Sequence, residues 1–320
     1  MQTGMAALTK SRALLFLQDI LGMAVPCDGP DGQPRCDLPF LNNIIREFMT
    51  RIPFQSVTLI AEDLEKRHVP SMSEIVDAMF KQHGGVCHSL NSFMFFLLEG
   101  LGYDVTLGHA FVYVEHDERH DNHIVVFVQN LVTDGDTFLV DVGFGDPLFE
   151  AVSLDFETES PVFKQSYLEV KFFKQNGKIV RAHGKGDNRL STDPEPWEVR
   201  IGTWRGAYEF STGNIRRFDQ FQECYHHQYT SLEGMTFQRS LRAMAYPQGK
   251  AFIILHDKIL RENEAGDLEK CQLPDDETIL NTYLTHFPQF EEEMVKRALA
   301  NWRKQMEQYI RPRTGESVSK

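Results

Sequence analysis

The sequence lacks several features that would assign a protein to a class at once. It contains no apolar run of about 18 residues or more, the length of a membrane-spanning helix, so we expect no membrane partner. It has no GxxxxGK motif followed by Ser or Thr, which excludes a P-loop nucleotide site. Its 33 basic residues stand against 46 acidic ones, a formal net charge of −13. Nucleic-acid binding needs a basic surface, so we expect no nucleic-acid partner.

Cysteine is scarce and irregularly placed. Five cysteines, an odd number, are scattered over 320 residues. The N-terminal stretch carries Asp19 and predicts an amphipathic helix rather than a signal peptide. We therefore expect reduced thiols and a cytoplasmic protein. Cys27 and Cys36 flank a turn-rich loop and are interpreted as surface thiols, with a disulfide or half of a metal site as the alternatives.

The period of the hydrophobic residues changes along the chain. Residues 1–104 repeat them every three or four positions, which predicts helices, whereas 105–215 alternate in short runs typical of strands. Residues 216–320 mix the two patterns. This order predicts an α+β protein with an N-terminal helical bundle, an antiparallel β-barrel or sandwich-like sheet, and a mixed C-terminal part.

Local motifs support particular elements. Ser71 and Glu74 have the spacing of a capping box, which predicts a helix start. Gly102 suits a left-handed cap at the end of a later helix. The pair Asn176-Gly177 favours a tight hairpin between two strands.

One cysteine has the surroundings of a nucleophile. In the stretch HGGVC, Cys87 follows Gly84 and Gly85 and opens a predicted helix. Two glycines allow a substrate or another backbone to come close. A helix N-terminus favours the thiolate, the reactive form of a thiol. The alternative is a cysteine that packs as a small hydrophobic residue.

A nucleophilic cysteine needs a histidine and an acid to orient it. The stretch HDERHDNHIVVFV spaces its three histidines at i, i+4 and i+7, as a metal site on a helix would. It connects two predicted strands, however, so the histidines need not converge and we expect no metal site there. His116 and His120 are interpreted as solvated loop residues, whereas His123 enters a strand. Asp141 lies late in another strand before a Gly-x-Gly turn. Closing that strand by bonding its own turn is the alternative role for Asp141.

The strand register tests this pairing. A tight hairpin between the two strands would set Asp141 opposite Val128, about five residues or ~16 Å from His123. Direct opposition of His123 and Asp141 therefore needs a looser connection between the strands. In that register the two side chains share a face, as directly opposed residues do. A triad therefore predicts that 129–135 is a wide loop or contains a bulge.

With these residues in place, the sequence resembles the arylamine N-acetyltransferase family. The stretches HGGVC, NHIVVFV and LVDVGFG match, in order, the family's Arg-Gly-Gly-x-Cys segment, strand-opening His and Asp-x-Gly strand end. RIPFQSVTL and YTSLEGMTF resemble two further family segments, and the likeness runs from about residue 10 to 310. Insert lengths and the stretch DNRLSTDPEPWEVR resemble eukaryotic, fungal members. The resemblance implies a helical bundle, a β-barrel and an α/β lid on a cysteine-peptidase-like core.

The resemblance also implies a reaction. An acyl group, acetyl by default and malonyl in some relatives, would pass from acyl-CoA to an aromatic amine or hydrazine in a ping-pong mechanism, as in xenobiotic detoxification. Cys87 would carry the thioester, His123 would act as base and acid, and Asp141 would orient His123. Acyl-CoA would be a co-substrate, with no tightly bound cofactor and no metal.

Binding positions follow from the same resemblance. Phe54 and Phe144 would line the aromatic pocket. Coenzyme A would be contacted by Thr230 and Ser231, in the segment that resembles the family's Thr-Ser-Pro, and by Arg119 and His120, in the loop before His123.

Three departures from the family pattern stand out. His83 replaces the usual Arg before Gly-Gly, Gln55-Ser56 replace Glu-Asn, and no proline follows the Thr-Ser pair. Two alternative functions stay open: a thioester or amide hydrolase on the same triad, and a catalytically impaired homologue that only binds.

Overall fold

The structure of the protein is a computed structural model. It describes residues 8–26, 29, 34–113, 122–190, 194–195, 197–232 and 236–307.

The first part of the chain is helical. A π-helical turn, Phe16–Ile20, continues the first helix, and short 3-10 turns connect later elements. The helices before the main sheet are α1 (Lys10–Leu15), α2 (Leu38–Arg51), α3 (Val57–Ala61), α4 (Met72–Phe80) and α5 (Cys87–Leu101).

Helix α5 is the centre of this part. Its side chains at Phe93, Met94 and Leu97 are fully buried, and burial of each stabilises the fold by ~1.5–3 kcal/mol. The helix ends at Gly102, whose φ of 105° closes it with a left-handed cap. The cap predicted for α4 is also confirmed, because the side chains at both ends of its capping box make their reciprocal bonds.

Over its described residues, the middle of the chain forms a nine-stranded antiparallel sheet, curled into a half-barrel. Its strands are β2 (Asp104–Val112), β3 (His123–Gln129), β4 (Thr137–Val140), β5 (Val152–Ser153), β6 (Phe163–Gln165), β7 (Leu168–Gln175), β8 (Lys178–His183), β9 (Arg200–Ile201) and β10 (Trp204–Arg216). Along the sheet the order is β5-β4-β3-β2-β10-β8-β7-β6, with β9 paired to β10. The α+β class and the antiparallel sheet are therefore confirmed.

The β7–β8 hairpin is tight and the β3–β4 hairpin is wide. Asn176 and Gly177 both have positive φ, as the predicted turn requires. Between β3 and β4 the connection runs over 130–136, and the side chain of Asp136 holds it by accepting from three backbone amides. The wide connection that a triad needs is confirmed.

The register that results differs by two residues from direct opposition. Val126 pairs with Val140, so Asp141 follows the strand at the level of Val125 rather than His123. Residues two apart on a strand share a face. Asp141 therefore meets His123 diagonally, which long polar side chains can span.

The C-terminal part mixes helices and strands. Helix α6 (Phe218–Thr230) follows β10, and a five-stranded sheet runs β1-β11-β12-β13-β14. Strand β1 (Phe54–Gln55) comes from the N-terminal part, so this sheet joins the first and last thirds of the chain. The remaining elements are β11 (Arg242–Ala245), β12 (Phe252–Leu255), β13 (Lys258–Glu262), β14 (Leu268–Gln272), α7 (Asp276–His286) and α8 (Glu292–Gln305). The domain limits at 104 and 215 stay predictions.

Two apolar cores hold these parts together. The larger core joins the N-terminal helices, the nine-stranded sheet and α6. The smaller core packs α3 against α8 and the five-stranded sheet, with Val57, Ile60 and Trp302 buried at its centre. In the described part of the chain, none of the helices is long and apolar enough to cross a bilayer.

Candidate active site

Cys87 lies in the first turn of α5 and is 5% exposed. The residue before it, Val86, has no polar side chain with which to cap the helix. The free amides at this end therefore carry the positive end of the helix dipole near the thiol. Such an end favours the thiolate.

The double glycine before Cys87 serves a backbone contact. Gly84 has a φ of 71°, and a Cβ there would lie 2.0 Å from the carbonyl oxygen of Pro53. The amide of Gln55 donates to the carbonyl oxygen of Gly85 at 2.9 Å. Of the two uses predicted for the glycines, approach of another backbone is the one observed.

His123 and Asp141 meet in the interior. His123 is 2% exposed, and its Nε2 lies 3.0 Å from Oδ2 of Asp141. Burial lowers the pKa of His123, but the charge and hydrogen bond of Asp141, joined by those of Cys87, outweigh burial and raise it. Because Nε2 faces Asp141, Nδ1 is the nitrogen left for Cys87. The structure thus brings together the three residues predicted for a triad.

Asp141 is held as a carboxylate by several donors. Oδ1 accepts from Asn91 Nδ2 at 2.8 Å and from the amide of Gly143 at 3.2 Å, and Oδ2 accepts from the hydroxyl of Tyr208 at 2.8 Å. Burial raises the pKa of Asp141, yet the positive charge of His123 and these bonds lower it well below the usual range. Asp141 stays ionised.

Asn91 ties the helix to the sheet. It lies one turn after Cys87 on α5, and its Nδ2 also donates to the carbonyl oxygen of Ile124 at 2.6 Å. Its Oδ1 accepts from the amide of Val142 at 3.0 Å. The i, i+4 spacing from Cys87 was the signal in the sequence that could have found it.

Helix α6 covers Cys87 from the other side. The hydroxyl of Tyr225, a buried residue, lies 3.9 Å from the sulfur. Burial raises the pKa of Tyr225 well above its usual value, so the hydroxyl keeps its proton. His88 packs against Phe218, Tyr225 and Tyr229 on this helix. The sequence held no signal for this cover.

Both predicted pocket phenylalanines lie near the triad. The Phe144 ring packs edge-on against His123, with ring centroids 5.5 Å apart, and also against Tyr208. Phe54 lies beside Gly145, where a Cβ would be 3.4 Å from its ring. Each ring is half-buried. Their role in substrate binding stays a prediction.

The predicted coenzyme A residues are placed only in part. Thr230 ends α6, where its hydroxyl donates to the carbonyl oxygen of His226 at 2.7 Å, and Ser231 follows as the helix cap. Arg119 and His120, like His116, lie outside the described residues. The contacts expected from all four coenzyme A residues stay predictions.

The departures from the family pattern have local structural roles. His83 Nε2 lies 3.1 Å from the carbonyl oxygen of Gln289, so it links the end of α4 to the segment before α8. Gln55 Oε1 accepts from the amide of Thr58 at 3.0 Å and so supports the start of α3. The Ser56 hydroxyl donates to the carbonyl oxygen of Ser240 at 2.7 Å.

Cys36 is a free, half-buried thiol whose sulfur lies 3.4 Å from the carbonyl oxygen of Leu101. Its sequence neighbour Cys27 lies outside the described residues.

Comparisons with known proteins define the class. A family model described as N-acetyltransferase matches residues 37–289. The uncharacterized acetyltransferase YvcN of Bacillus subtilis is 27% identical over 244 residues, which are 74% of this chain and 85% of that protein. The arylamine N-acetyltransferase, pineal gland isozyme NAT-3, of Gallus gallus is 25% identical over 67% of this chain and 73% of its own.

The fold comparison agrees. The structure of Mycobacterium marinum arylamine N-acetyltransferase in complex with CoA superposes with a TM-score of 0.68 at 19% identity, over 90% of this chain and 98% of that one. The chain belongs to the arylamine N-acetyltransferase family, as its motifs predicted.

Proposed function

We propose that the protein moves an acyl group from acyl-CoA, through a thioester on Cys87, to the nitrogen of an arylamine or hydrazine. The observation that carries this proposal is the buried cluster in which His123 Nε2 lies 3.0 Å from Asp141 Oδ2 beside the Cys87 thiol at a helix N-terminus. Family membership supports the acyl transfer.

In the first half-reaction the enzyme is acylated. Cys87 gives its proton to Nδ1 of His123, and the sulfur attacks the carbonyl carbon of acyl-CoA. The tetrahedral intermediate collapses by breaking the carbon–sulfur bond to coenzyme A. His123 gives its proton to the departing thiolate, so coenzyme A leaves as a thiol and His123 is neutral again.

In the second half-reaction the amine takes the acyl group. Its nitrogen attacks the thioester carbonyl while neutral His123 accepts the nitrogen's proton. The bond to the Cys87 sulfur breaks, and the thiolate is left beside the imidazolium, the pair that attacks the next acyl-CoA. Asp141 stabilises that imidazolium and holds its ring in place.

The burial of the site favours an amine over water as the acceptor. Cys87 is 5% exposed and His123 is 2% exposed, and the aromatic rings of Phe144 and Tyr225 lie against them. An apolar surround lowers the local water concentration and suits an aromatic acceptor. Hydrolysis is therefore an outcome of the test rather than a second proposal.

The experiment is an intact-mass measurement without an acceptor. The protein is incubated separately with acetyl-CoA and with malonyl-CoA. We expect one added acyl group from at least one donor, because the thioester accumulates when no amine is present. Addition of an arylamine should remove the adduct and produce the acylated amine.

Two variants make the result specific. Cys87→Ala should take no acyl group, whereas Cys224→Ala, which removes another free thiol, should be acylated like the wild type. Free coenzyme A without an adduct would point to the hydrolase instead. Absence of both adduct and coenzyme A release with either donor would overturn acyl transfer and favour the binding homologue.

A further inference from the structure

A buried arginine stands behind the candidate triad. Arg181 lies on β8, paired across the sheet with Tyr208 of β10, and its side chain is completely buried. Moving a guanidinium from water into the interior costs on the order of several kcal/mol. A nearby carboxylate and hydrogen bonds can offset this cost. Its partners therefore indicate what it is there to do.

The guanidinium faces the carboxylate of the triad. Its NH1 lies 3.5 Å from Oδ2 of Asp141, the same oxygen that meets His123. The Cζ atom of the group lies over the Phe144 ring, 4.9 Å from its centroid, and over the Tyr208 ring, 5.7 Å from its centroid. Both contacts are within the range of cation–π attraction.

The rest of the guanidinium is fixed by neutral acceptors. NH2 lies 3.1 Å from the carbonyl oxygen of Pro147 and 3.3 Å from that of Asp146, and Nε donates to Nε2 of His183 at 3.1 Å. Because Nε2 accepts, His183 must be neutral with its proton on Nδ1. Burial, the largest effect, lowers the pKa of His183 and keeps it neutral.

The neighbouring carboxylates have arginines of their own. Asp187 Oδ2 lies 2.7 Å from Arg205, and Asp146 Oδ2 lies 2.7 Å from Arg189. Arg181 is the weaker of the two arginines that act on Asp146, because Arg189 lowers the pKa of that carboxyl more. Within the described residues, its ion pair is with Asp141.

The sum of the charges in the site indicates what Arg181 does there. A thiolate, an imidazolium and the Asp141 carboxylate sum to one negative charge in the interior. The guanidinium adds one positive charge and brings the sum to zero. A nearby positive charge makes it easier for the Cys87–His123 pair to lose a proton.

We propose that Arg181 is a positioning residue of the triad: it is the fixed counter-charge of Asp141 and eases proton release from the Cys87–His123 pair. This inference rests on the roles proposed above for Cys87, His123 and Asp141.

Among the described groups around Cys87 and His123, Arg181 is the one with a fixed positive charge. In the described part of the chain, the titratable or charged groups around Cys87 and His123 are Asp141, Arg181, Tyr208, Tyr225, Tyr229 and His88. Burial raises the pKa of the three tyrosines, so they are neutral. Burial lowers the pKa of His88 to about 3, so it is neutral too.

The test is the pH dependence of Cys87 alkylation by iodoacetamide, followed by intact mass. In Arg181→Gln, whose amide nitrogen takes the place of Nε and can still donate to Nε2 of His183, we expect the midpoint of the rate–pH curve to move up by about one pH unit or more. Arg181→Met should move it in the same direction. Arg181→Lys keeps the charge and should restore most of the wild-type curve.

Arg205→Met is the matched control. It removes another buried arginine of the same network, one that pairs with Asp187 instead of Asp141, and should leave the curve where it is. A wild-type curve in both Arg181→Gln and Arg181→Met would overturn the proposal. So would a shift of the same size in Arg181→Lys and Arg205→Met, because it would report a general loss of packing.

Alkylation needs no acyl donor, so the two proposals fail separately. If the wild type forms no acyl adduct but its alkylation curve depends on Arg181, the proposed function fails and the pairing of Arg181 with the site stands. If adducts form and the curve ignores Arg181, only the role of Arg181 is lost. If the neutral variants do not fold, the Lys variant decides: it must fold and keep a curve close to wild type, and a curve displaced upward despite the retained charge would contradict the proposal.

Discussion

Cys87 lies between two regions of opposite character. On the sheet side lies an ionic region of His123, Asp141, Arg181 and Tyr208, in which Asp141 has hydrogen bonds to His123 and Tyr208 and an ion pair with Arg181. On the side of α6, an aromatic region of His88, Phe218, Tyr225 and Tyr229 packs rings against one another. Both regions are buried.

Each region contains one buried histidine, and the two behave in opposite ways. Burial alone would lower the pKa of either one. Around His123 the Asp141 carboxylate reverses this effect and the pKa rises, whereas His88 has aromatic neighbours and its pKa falls to about 3. The difference teaches that the partner, and not burial itself, decides whether an interior imidazole carries charge.

The largest effect should come from breaking the ionic region at its carboxylate. Asp141→Asn removes the charge that would stabilise the imidazolium. It also places an amide among hydrogen-bond donors, so His123 loses the tautomer that its proposed role requires. We expect the acylation rate to fall roughly 10³-fold or more. Stopped-flow measurement of coenzyme A release in a single turnover measures this rate.

Asp187→Asn is the control for that change. Asp187 is also buried and pairs with Arg205, but it does not contact the triad. An equal loss of rate in both variants would show that the effect is structural.

A smaller effect should come from the aromatic region. Tyr225→Phe removes the hydroxyl 3.9 Å from the Cys87 sulfur. A hydrogen bond of this kind contributes about 0.5–1.5 kcal/mol, so we expect the acylation rate to fall roughly two- to thirteenfold. Tyr229→Phe, one turn further along α6, should leave the rate near wild type. An equal fall of the acylation rate in both variants would show that the Tyr225 hydroxyl has no specific effect on Cys87.

The smallest effect concerns stability and sharpens the contrast between the histidines. The pKa of His88 is lower in the folded state than the ~6.5 expected when unfolded. Between pH ~6.5 and about 3 the unfolded state binds a proton at His88 that the folded state does not bind. The free energy of unfolding therefore falls as the pH falls through this range. In His88→Phe, the free energy of unfolding should fall less steeply over that range, as measured by urea denaturation.

His68→Ala tests the sign of that prediction. His68 is exposed and bonded to the backbone of Lys66 and the side chain of Glu74, and these bonds raise its pKa. Its contribution is present at low pH and is lost as the pH rises through the raised pKa. The His68 variant should therefore leave the acid slope no shallower; a slope flattened as much as in His88→Phe would refute the assignment.

Several parts of the site could be predicted because they depend on short stretches of sequence. The start of α5 at Cys87 followed from the glycines and the hydrophobic spacing after them. The wide β3–β4 connection followed from asking how His123 and Asp141 could meet. The register itself differed by two residues, because the Asp136 side chain holds a loop of 130–136 that the spacing of the two residues does not specify.

Other parts of the site had no local signal. Tyr208 and Arg181 sit on neighbouring strands, and their sequence positions say nothing about which carboxylate they will face. Tyr225 reaches Cys87 from 138 positions away in the chain. Contacts of this kind exist only after the strands pair and the helices pack.

By itself, the sequence determined the family, the α+β class, the starts of α4 and α5, and the residue types suited to acyl transfer. These follow from hydrophobic period, caps and short motifs, which act over a few residues. The tertiary structure alone decided the charge balance around His123 and Asp141, because that balance depends on burial and on partners brought together from distant strands. It also decided that β1 joins the C-terminal sheet, since strand pairing is a property of the folded chain.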